Sequence, residues 1–172
     1  MSLARLLKKI ESYYPNFDRE LVERAYFYAE KAHAGQFRNS GEAFIQHPLE
    51  VACILADLQL DILSIAAGLL HDVVEDTDVT FDYLESQGFS KEVLDALDAL
   101  TRRDNEPYED FIKRVAENKV ACYVKLSDLR DNMDLSRIPN PTQKDHQRVE
   151  KYRKAVGRIL EALDSYSESS QE

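Results

Sequence analysis

Apolar residues along this chain recur at intervals of three and four almost throughout, the spacing of helix faces rather than the alternation of strands. A short amphipathic segment over residues 3–13 precedes Pro15, and Asp18 is placed to cap a long helix through Tyr26 and Ala29 towards His33. Residues 35–41 read as a polar loop. His47-Pro48 opens the next helix, with Pro48 expected at the first helical position, where a missing N–H costs nothing, and the helix runs to about Leu58. Asp61 caps a segment in which Ile62, Ile65, Leu69 and Val73, flanked by Ala66, Leu70 and Val74, form one apolar stripe ending near Asp76. Residues 80–87 predict a short helix closed by Gly88. Ser90 caps another to about Thr101, and residues 108–117 predict a further amphipathic one. Residues 120–133 are apolar on most sides and belong at the centre. The last helix is expected over residues 142–163, before an end, SYSESSQE, whose composition predicts fraying.

Five Gly and five Pro in 172 residues leave little punctuation for a many-stranded sheet, so the fold class expected is all-α. The length fits one domain over residues 1–165, with residues 166–172 as a disordered tail. The formal charge of −10 disfavours a general grip on a nucleic-acid backbone, which needs a basic face. The longest apolar run, residues 62–70 with Ser64 inside it, falls well short of the ~20 residues that span a bilayer. No signal-peptide pattern opens the chain, and a cytoplasmic protein is expected. Cys53 and Cys122 sit in apolar runs without C-x-x-C spacing and read as buried thiols.

Only four histidines are present, and His71 stands out because it is followed by Asp72 and then, in HDVVEDT, by Glu75 and Asp76. One helical turn would put the three carboxylates and the imidazole on one side. A solvated polar face continued by Asp61, Ser64 and Gly68 is the plain reading, but acids this crowded repel one another and favour a cation among them. Asp128 projects from a largely apolar segment, where an unpaired charge costs several kcal/mol. Its partner is either Lys125 or Arg130, or a cation shared with His71 and Asp72. His47, beside Pro48, is either a surface or capping imidazole or a fourth ligand turned inward. Two imidazoles and two carboxylates with open positions suit one first-row ion such as Mn²⁺ or Fe²⁺ better than closed structural zinc. His33 near a helix end complements its dipole, and His146 reads as surface. Gln36, Arg38, Asn39 and Ser40 offer donors for phosphate oxygens or a base edge, though such loops are often only loops. Arg148 and Tyr152, four apart, share a helix face that is either exposed surface or one wall of a pocket.

The segments GQFRNSGEAFIQHPLEVACILADL, AAGLLHDVVEDTDVT and VKLSDLRDN, in that order, resemble the hydrolase domain of the RelA/SpoT family, part of the HD phosphohydrolase superfamily, and in particular its small single-domain alarmone hydrolases. The resemblance extends over about residues 21–160. It implies a helical HD-domain bundle that hydrolyses the 3′-diphosphate of ppGpp or pppGpp to GDP or GTP and pyrophosphate, usually with Mn²⁺, a small nucleotide being the partner. By motif it implies His47, His71, Asp72 and Asp128 as metal ligands and Glu75 and Asp76 as the acidic pair that positions or deprotonates water. It also implies substrate contacts at Arg38, Asn39, Ser40, Asn132, Arg148 and Tyr152. The chain departs from the family pattern at Asn39, where a basic residue is common, at Ala43-Phe44 in place of Pro-Tyr, and at Leu129 in place of Arg. The synthetase domain of longer members has no counterpart in these residues, so synthesis is not expected. Two other readings compete: an HD phosphohydrolase of another nucleotide or phosphorylated metabolite, such as a nucleoside monophosphatase, and a non-catalytic nucleotide-binding module.

Overall fold

A computed structural model describes residues 1–38, 40–138 and 140–169. It is helical, and among the described residues the only β feature is an isolated bridge between Phe37 and Ala43. The helices are α1 (Leu3–Tyr13), α2 (Arg19–Ala32), α3 (Gln46–Asp57), α4 (Ile62–Leu70), the single turn α5 (Val73–Asp76), α6 (Phe81–Ser86), α7 (Lys91–Leu100), α8 (Tyr108–Ala116), α9 (Lys119–Asn132) and α10 (Gln143–Ser169), with a 3₁₀ turn at Leu135–Arg137. No helix of the described residues is long and apolar enough to cross a membrane.

Local chemistry sets most of these boundaries. Asp18, Asp61, Thr80 and Ser90 each accept the N–H of the residue three further on, at Leu21, Ser64, Tyr83 and Val93. Asp61 thereby launches α4, which is apolar on every face and lies at the middle of the bundle, packed against α2, α3, α7 and α9. Gly68 permits its close approach to α3: a Cβ there would stand 2.5 Å from Cδ1 of Leu55. Helix α9 is also buried on most sides and touches α3, α4, α7, α8 and α10, which agrees with its expected central place. Cys53 and Cys122 are buried free thiols.

Three expectations shift. Helix α3 starts at Gln46, so Pro48 is its third residue rather than its first. The first four N–H groups of a helix lack intrahelical acceptors, so proline fits the third position as readily. The helix expected to run unbroken from Asp61 to Asp76 stops at Leu70 and resumes at Val73, with Asp72 at φ −99, ψ −5. Helix α10 continues to Ser169, past the expected end near residue 163 and through the first part of the expected tail; the Tyr166 hydroxyl donates to the Ala116 carbonyl at 3.1 Å. Residues 170–172 lie outside the described residues.

Candidate active site

His47 and Asp131 come from the start of α3 and the end of α9, elements that cross near the centre of the bundle. The Nδ1 of His47 meets Oδ2 of Asp131 at 2.7 Å. The Nδ1 of His71 meets the Gly68 carbonyl at 2.8 Å. A carboxylate and a carbonyl only accept, so both rings donate through Nδ1 and turn Nε2 towards each other's neighbourhood, their centroids 5.1 Å apart. The Nε2 of His47 stands 3.2 Å from Asp128 Oδ1 and 3.5 Å from Asp72 Oδ2, and that of His71 stands 3.2 Å from Asp72 Oδ2. Donor atoms of His47, His71 and Asp72 all lie within 4.8 Å of one another.

In the neutral rings those Nε2 atoms carry lone pairs that face carboxylate lone pairs, a repulsive arrangement unless a proton or a metal ion lies between. His71 Nε2 is buried without a hydrogen-bond partner. Burial opposes charge on both rings, yet Asp128 and Asp131 raise the His47 pKa, and Asp72 and Asp128 raise that of His71 well above its usual value. The cluster therefore demands positive charge. A carboxylate–imidazole pair behind a nitrogen aimed at such a point is the usual support of a metal-ligating histidine. The donor set fits a divalent first-row ion.

Asp128 has the Lys125 partner that its sequence position allows, and it also faces the imidazole cluster. Its Oδ2 accepts from Lys125 at 2.8 Å and its Oδ1 from Asn132 at 2.5 Å, while the same Oδ1 faces His47. Despite burial, Lys125 and the two imidazoles hold its pKa well below the carboxylate range.

Glu75 and Asp76, expected side by side, line different cavities. Glu75 borders a cleft of about 210 Å³ with Asp72, Asp128, Asn132, Lys125 and Tyr152. Its Oε2 accepts the Arg102 backbone N–H at 2.8 Å. Asp76 borders a cavity of about 600 Å³ with Gln36, Lys31 and Tyr28. Burial, and then the Asp72 charge, pushes both carboxyl pKa values up, against the donated Arg102 N–H at Glu75.

A neighbouring cleft of about 270 Å³ gathers Arg38, Ser40, Asn132, Arg148 and Tyr152, five of the six expected substrate contacts. Asn39 lies outside the described residues. The loop before α3 turns sharply at Gly41, φ +85, and returns Arg38 towards α9. There its guanidinium donates to Asp131 Oδ2 at 2.7 Å and to Asn132 Oδ1 at 3.1 Å. Asn132 and Tyr152 border both clefts, so the two adjoin. The remaining histidines stay outside the cluster. His33 is buried, its Nδ1 on Gln36 Oε1 at 2.9 Å and its ring against Phe44, and His146 is exposed.

Asp131 went unread as a site residue, although it lies three positions after Asp128 and so on the same helix face. Arg102, Tyr108 and Lys151, which also line the smaller cleft, carry no local pattern that marks them.

Comparison with known proteins places the chain in a family. A 38% identical stretch of 138 residues aligns with a GTP pyrophosphokinase of Myxococcus xanthus, covering 72% of this chain and 18% of that protein. A guanosine-3′,5′-bis(diphosphate) 3′-pyrophosphohydrolase of Aquifex aeolicus is 37% identical over 141 residues, 77% of this chain and 20% of the relative. The bifunctional (p)ppGpp synthase/hydrolase SpoT of Escherichia coli is 41% identical over 109 residues, 63% of this chain and 15% of the relative. The chain thus spans a fifth or less of the length of these three curated relatives. A solved structure, described as a metazoan ortholog of SpoT that hydrolyzes ppGpp and plays a role in starvation responses, superposes with a TM-score of 0.66 at 26% identity, over 83% of this chain and 85% of that one. The family model described as HD domain matches residues 25–162, a span that begins in α2, ends in α10 and holds every member of the cluster. The chain belongs to the HD domain family.

Proposed function

We propose that this chain is a divalent-metal-dependent phosphohydrolase that removes the 3′-diphosphate of ppGpp or pppGpp, water adding to phosphorus as the 3′ oxygen leaves to give GDP or GTP and pyrophosphate. The observation that carries the proposal is the convergence of His47, His71, Asp72 and Asp128 beside two adjoining clefts lined by Arg38, Asn132, Arg148 and Tyr152. The printed functions of the hydrolase relatives and of the solved neighbour supply the substrate. The cytoplasmic location read from the sequence belongs to the same proposal.

His47, His71, Asp72 and Asp128 would hold the ion, which we take as Mn²⁺; when bound it would act as a Lewis acid towards water and a phosphoryl oxygen. The chain's own groups do the rest. Glu75, on the cleft side, takes the proton of the attacking water, and its raised pKa makes it a competent base that later serves the leaving oxygen as acid. Asp76 acts from the opposite side, close enough to sense Asp72 and both imidazoles. Arg38, held by Asp131 and Asn132, meets the base in this reading, and Ser40, Arg148 and Tyr152 close the nucleoside cleft. Asn39, which lies outside the described residues, enters this proposal on the sequence resemblance alone.

The test is incubation with ppGpp, a set of nucleoside monophosphates and a sugar phosphate, with Mn²⁺ and with a chelator. Pyrophosphate released from ppGpp only in the metal-containing arm is the expected result, with Glu75→Gln retaining Mn²⁺ and losing turnover. Orthophosphate from the monophosphates, with ppGpp untouched, would overturn the substrate. Binding of ppGpp without turnover in metal-loaded protein would overturn the enzyme.

A further inference from the structure

The two acids proposed to handle water, Glu75 and Asp76, sit on α5, a helix of a single turn. The first turn of a helix is costly to form, so a four-residue piece keeps its shape only where outside groups take up its ends. Three such groups are present. The Thr77 hydroxyl donates to the Val73 carbonyl at 2.6 Å, the Arg102 N–H donates to Glu75 at 2.8 Å, and the Gln36 side-chain amide donates to the Asp76 carbonyl at 3.3 Å. Glu75 is thus held through its own carboxylate. Asp76 is not: among the described residues no hydrogen bond to its carboxylate is found, so its place depends on the backbone that Gln36 ties.

Gln36 is in turn set by His33. Helix α2 ends at this histidine, the chain reverses at Gly35, φ +79, and the Gln36 N–H donates to the His33 carbonyl at 3.0 Å, which brings the Gln36 side chain beside the ring. The Asp76 carbonyl only accepts, so the amide turns its NH₂ there and its oxygen to His33. The His33 Nδ1, 2.9 Å from that oxygen, therefore carries the proton. Nε2 of the same ring is buried with no hydrogen-bond partner. The residue is 3% exposed, and its ring lies against Phe44 with centroids 4.5 Å apart. A phenyl ring would fill that space without stranding a buried nitrogen, so packing alone does not account for an imidazole here. What the imidazole adds is one N–H, aimed at Gln36.

We infer that His33 is a positioning residue which, as the neutral Nδ1–H tautomer, fixes the Gln36 amide and with it the Asp76 end of α5 beside the His47, His71, Asp72 and Asp128 cluster. The inference rests on the phosphohydrolase reading, in which Asp76 acts on water, and adds to it a residue from outside both clefts.

The test separates the donor from the ring. His33→Phe keeps a ring against Phe44 and removes the donor, whereas His33→Asn gives up the ring and places an amide N–H where Nδ1 stood. With Mn²⁺ and ppGpp, His33→Phe should lower kcat about three- to tenfold, the effect of one lost hydrogen bond, with KM and Mn²⁺ affinity unchanged. His33→Asn should recover most of that kcat. Gln36→Leu, at a half-buried loop position that carries the test should His33→Phe fold poorly, should lose as much as His33→Phe. The double variant should lose no more than either, because both break one chain of bonds.

Two readouts need no substrate and are taken in chelator. Nitrogen NMR of the imidazoles should show His33 protonated at Nδ1 and bare at Nε2. The Asp76 amide, bonded to the Asp72 carbonyl at 2.9 Å, should exchange with solvent about three- to tenfold faster in His33→Phe and in Gln36→Leu. Full kcat in His33→Phe with a loss in His33→Asn would make His33 a packing residue and overturn the inference, as would additive losses in the double variant or a ring protonated at Nε2 alone. If the substrate panel finds no turnover while Asp76 exchange quickens as described, the phosphohydrolase reading fails and the His33 anchor stands. If ppGpp is hydrolysed and both kcat and exchange stay at wild-type values in His33→Phe and Gln36→Leu, the anchor fails and the reaction stands.

Discussion

Asp131 offers the sharpest single perturbation of the site. Its Oδ2 serves two donors at 2.7 Å each, His47 Nδ1 and Arg38 Nη1, and its side chain is 3% exposed. Asp131→Ala deprives both. Arg38, 18% exposed, can rehydrate in part, whereas the His47 side chain at 4% exposed cannot. Breaking a buried charged pair on one side costs about 3–5 kcal/mol, and the partial rehydration of Arg38 places the expected loss near the lower end, about 3 kcal/mol. Asp131→Asn preserves volume and one acceptor and should lose less, about 1–2 kcal/mol, the worth of a charge-assisted bond made ordinary. The more telling readout is metal affinity. Without a carboxylate behind it, His47 is free to turn and its Nε2 is a weaker base, so Mn²⁺ affinity should fall about 10–100-fold in Asp131→Asn. Urea unfolding in chelator measures the first quantity, and a Mn²⁺ titration by calorimetry or thermal shift the second. Wild-type Mn²⁺ affinity in a folded Asp131→Asn protein would refute the claim that this carboxylate orients His47.

Two further predictions concern the frame of the site. Gly68→Ala would set a Cβ 2.5 Å from Leu55 Cδ1, in a core where Leu55 is fully buried. Overpacking of this kind costs about 1–3 kcal/mol, offset by about 1 kcal/mol of helix propensity, so a net loss in urea unfolding is expected, and adding Leu55→Ala should cost less than Leu55→Ala alone; an unchanged or raised midpoint would refute the tight α3–α4 crossing. Glu106, whose pKa the Arg114 guanidinium lowers to about 2, has a folded value below its unfolded one. Its contribution is therefore complete above about pH 4.5 and is lost as pH falls towards 2, so Glu106→Gln should narrow the stability gap between pH 6 and pH 3, and an acid profile identical to the wild type would refute it.

Much of the fold was legible because caps act within three residues. Asp18, Asp61 and Ser90 needed no tertiary partner to fix their helix starts. The four ligands of the proposed metal site were legible as well, because their residue types recur in a recognisable order. Illegible were features settled by packing between distant segments. The break at His71 and Asp72 interrupts a pattern whose apolar spacing continues into Val73 and Val74. The Ser/Glu-rich stretch beyond residue 163 stays helical through residue 169 with a bond from Tyr166 to the end of α8. The recess of Arg102, Tyr108 and Lys151 exists only once α8, α9 and α10 assemble, and no spacing in the chain foretells it.

That recess also resolves a tension between overall charge and proposed substrate. A net charge of −10 argues against long polyanions, which must lie along an extended surface and feel its whole field. A small polyanion samples a region about one Debye length across, ~8–10 Å at physiological ionic strength, and there the local balance decides. In the smaller cleft three acids meet three bases, so a divalent ion at the cluster would turn the balance positive, while in the adjoining cleft Arg38 and Arg148 are offset by Asp131 and Asp134. Under the proposed function, that local balance would favour a compact phosphorylated nucleotide over a nucleic-acid strand.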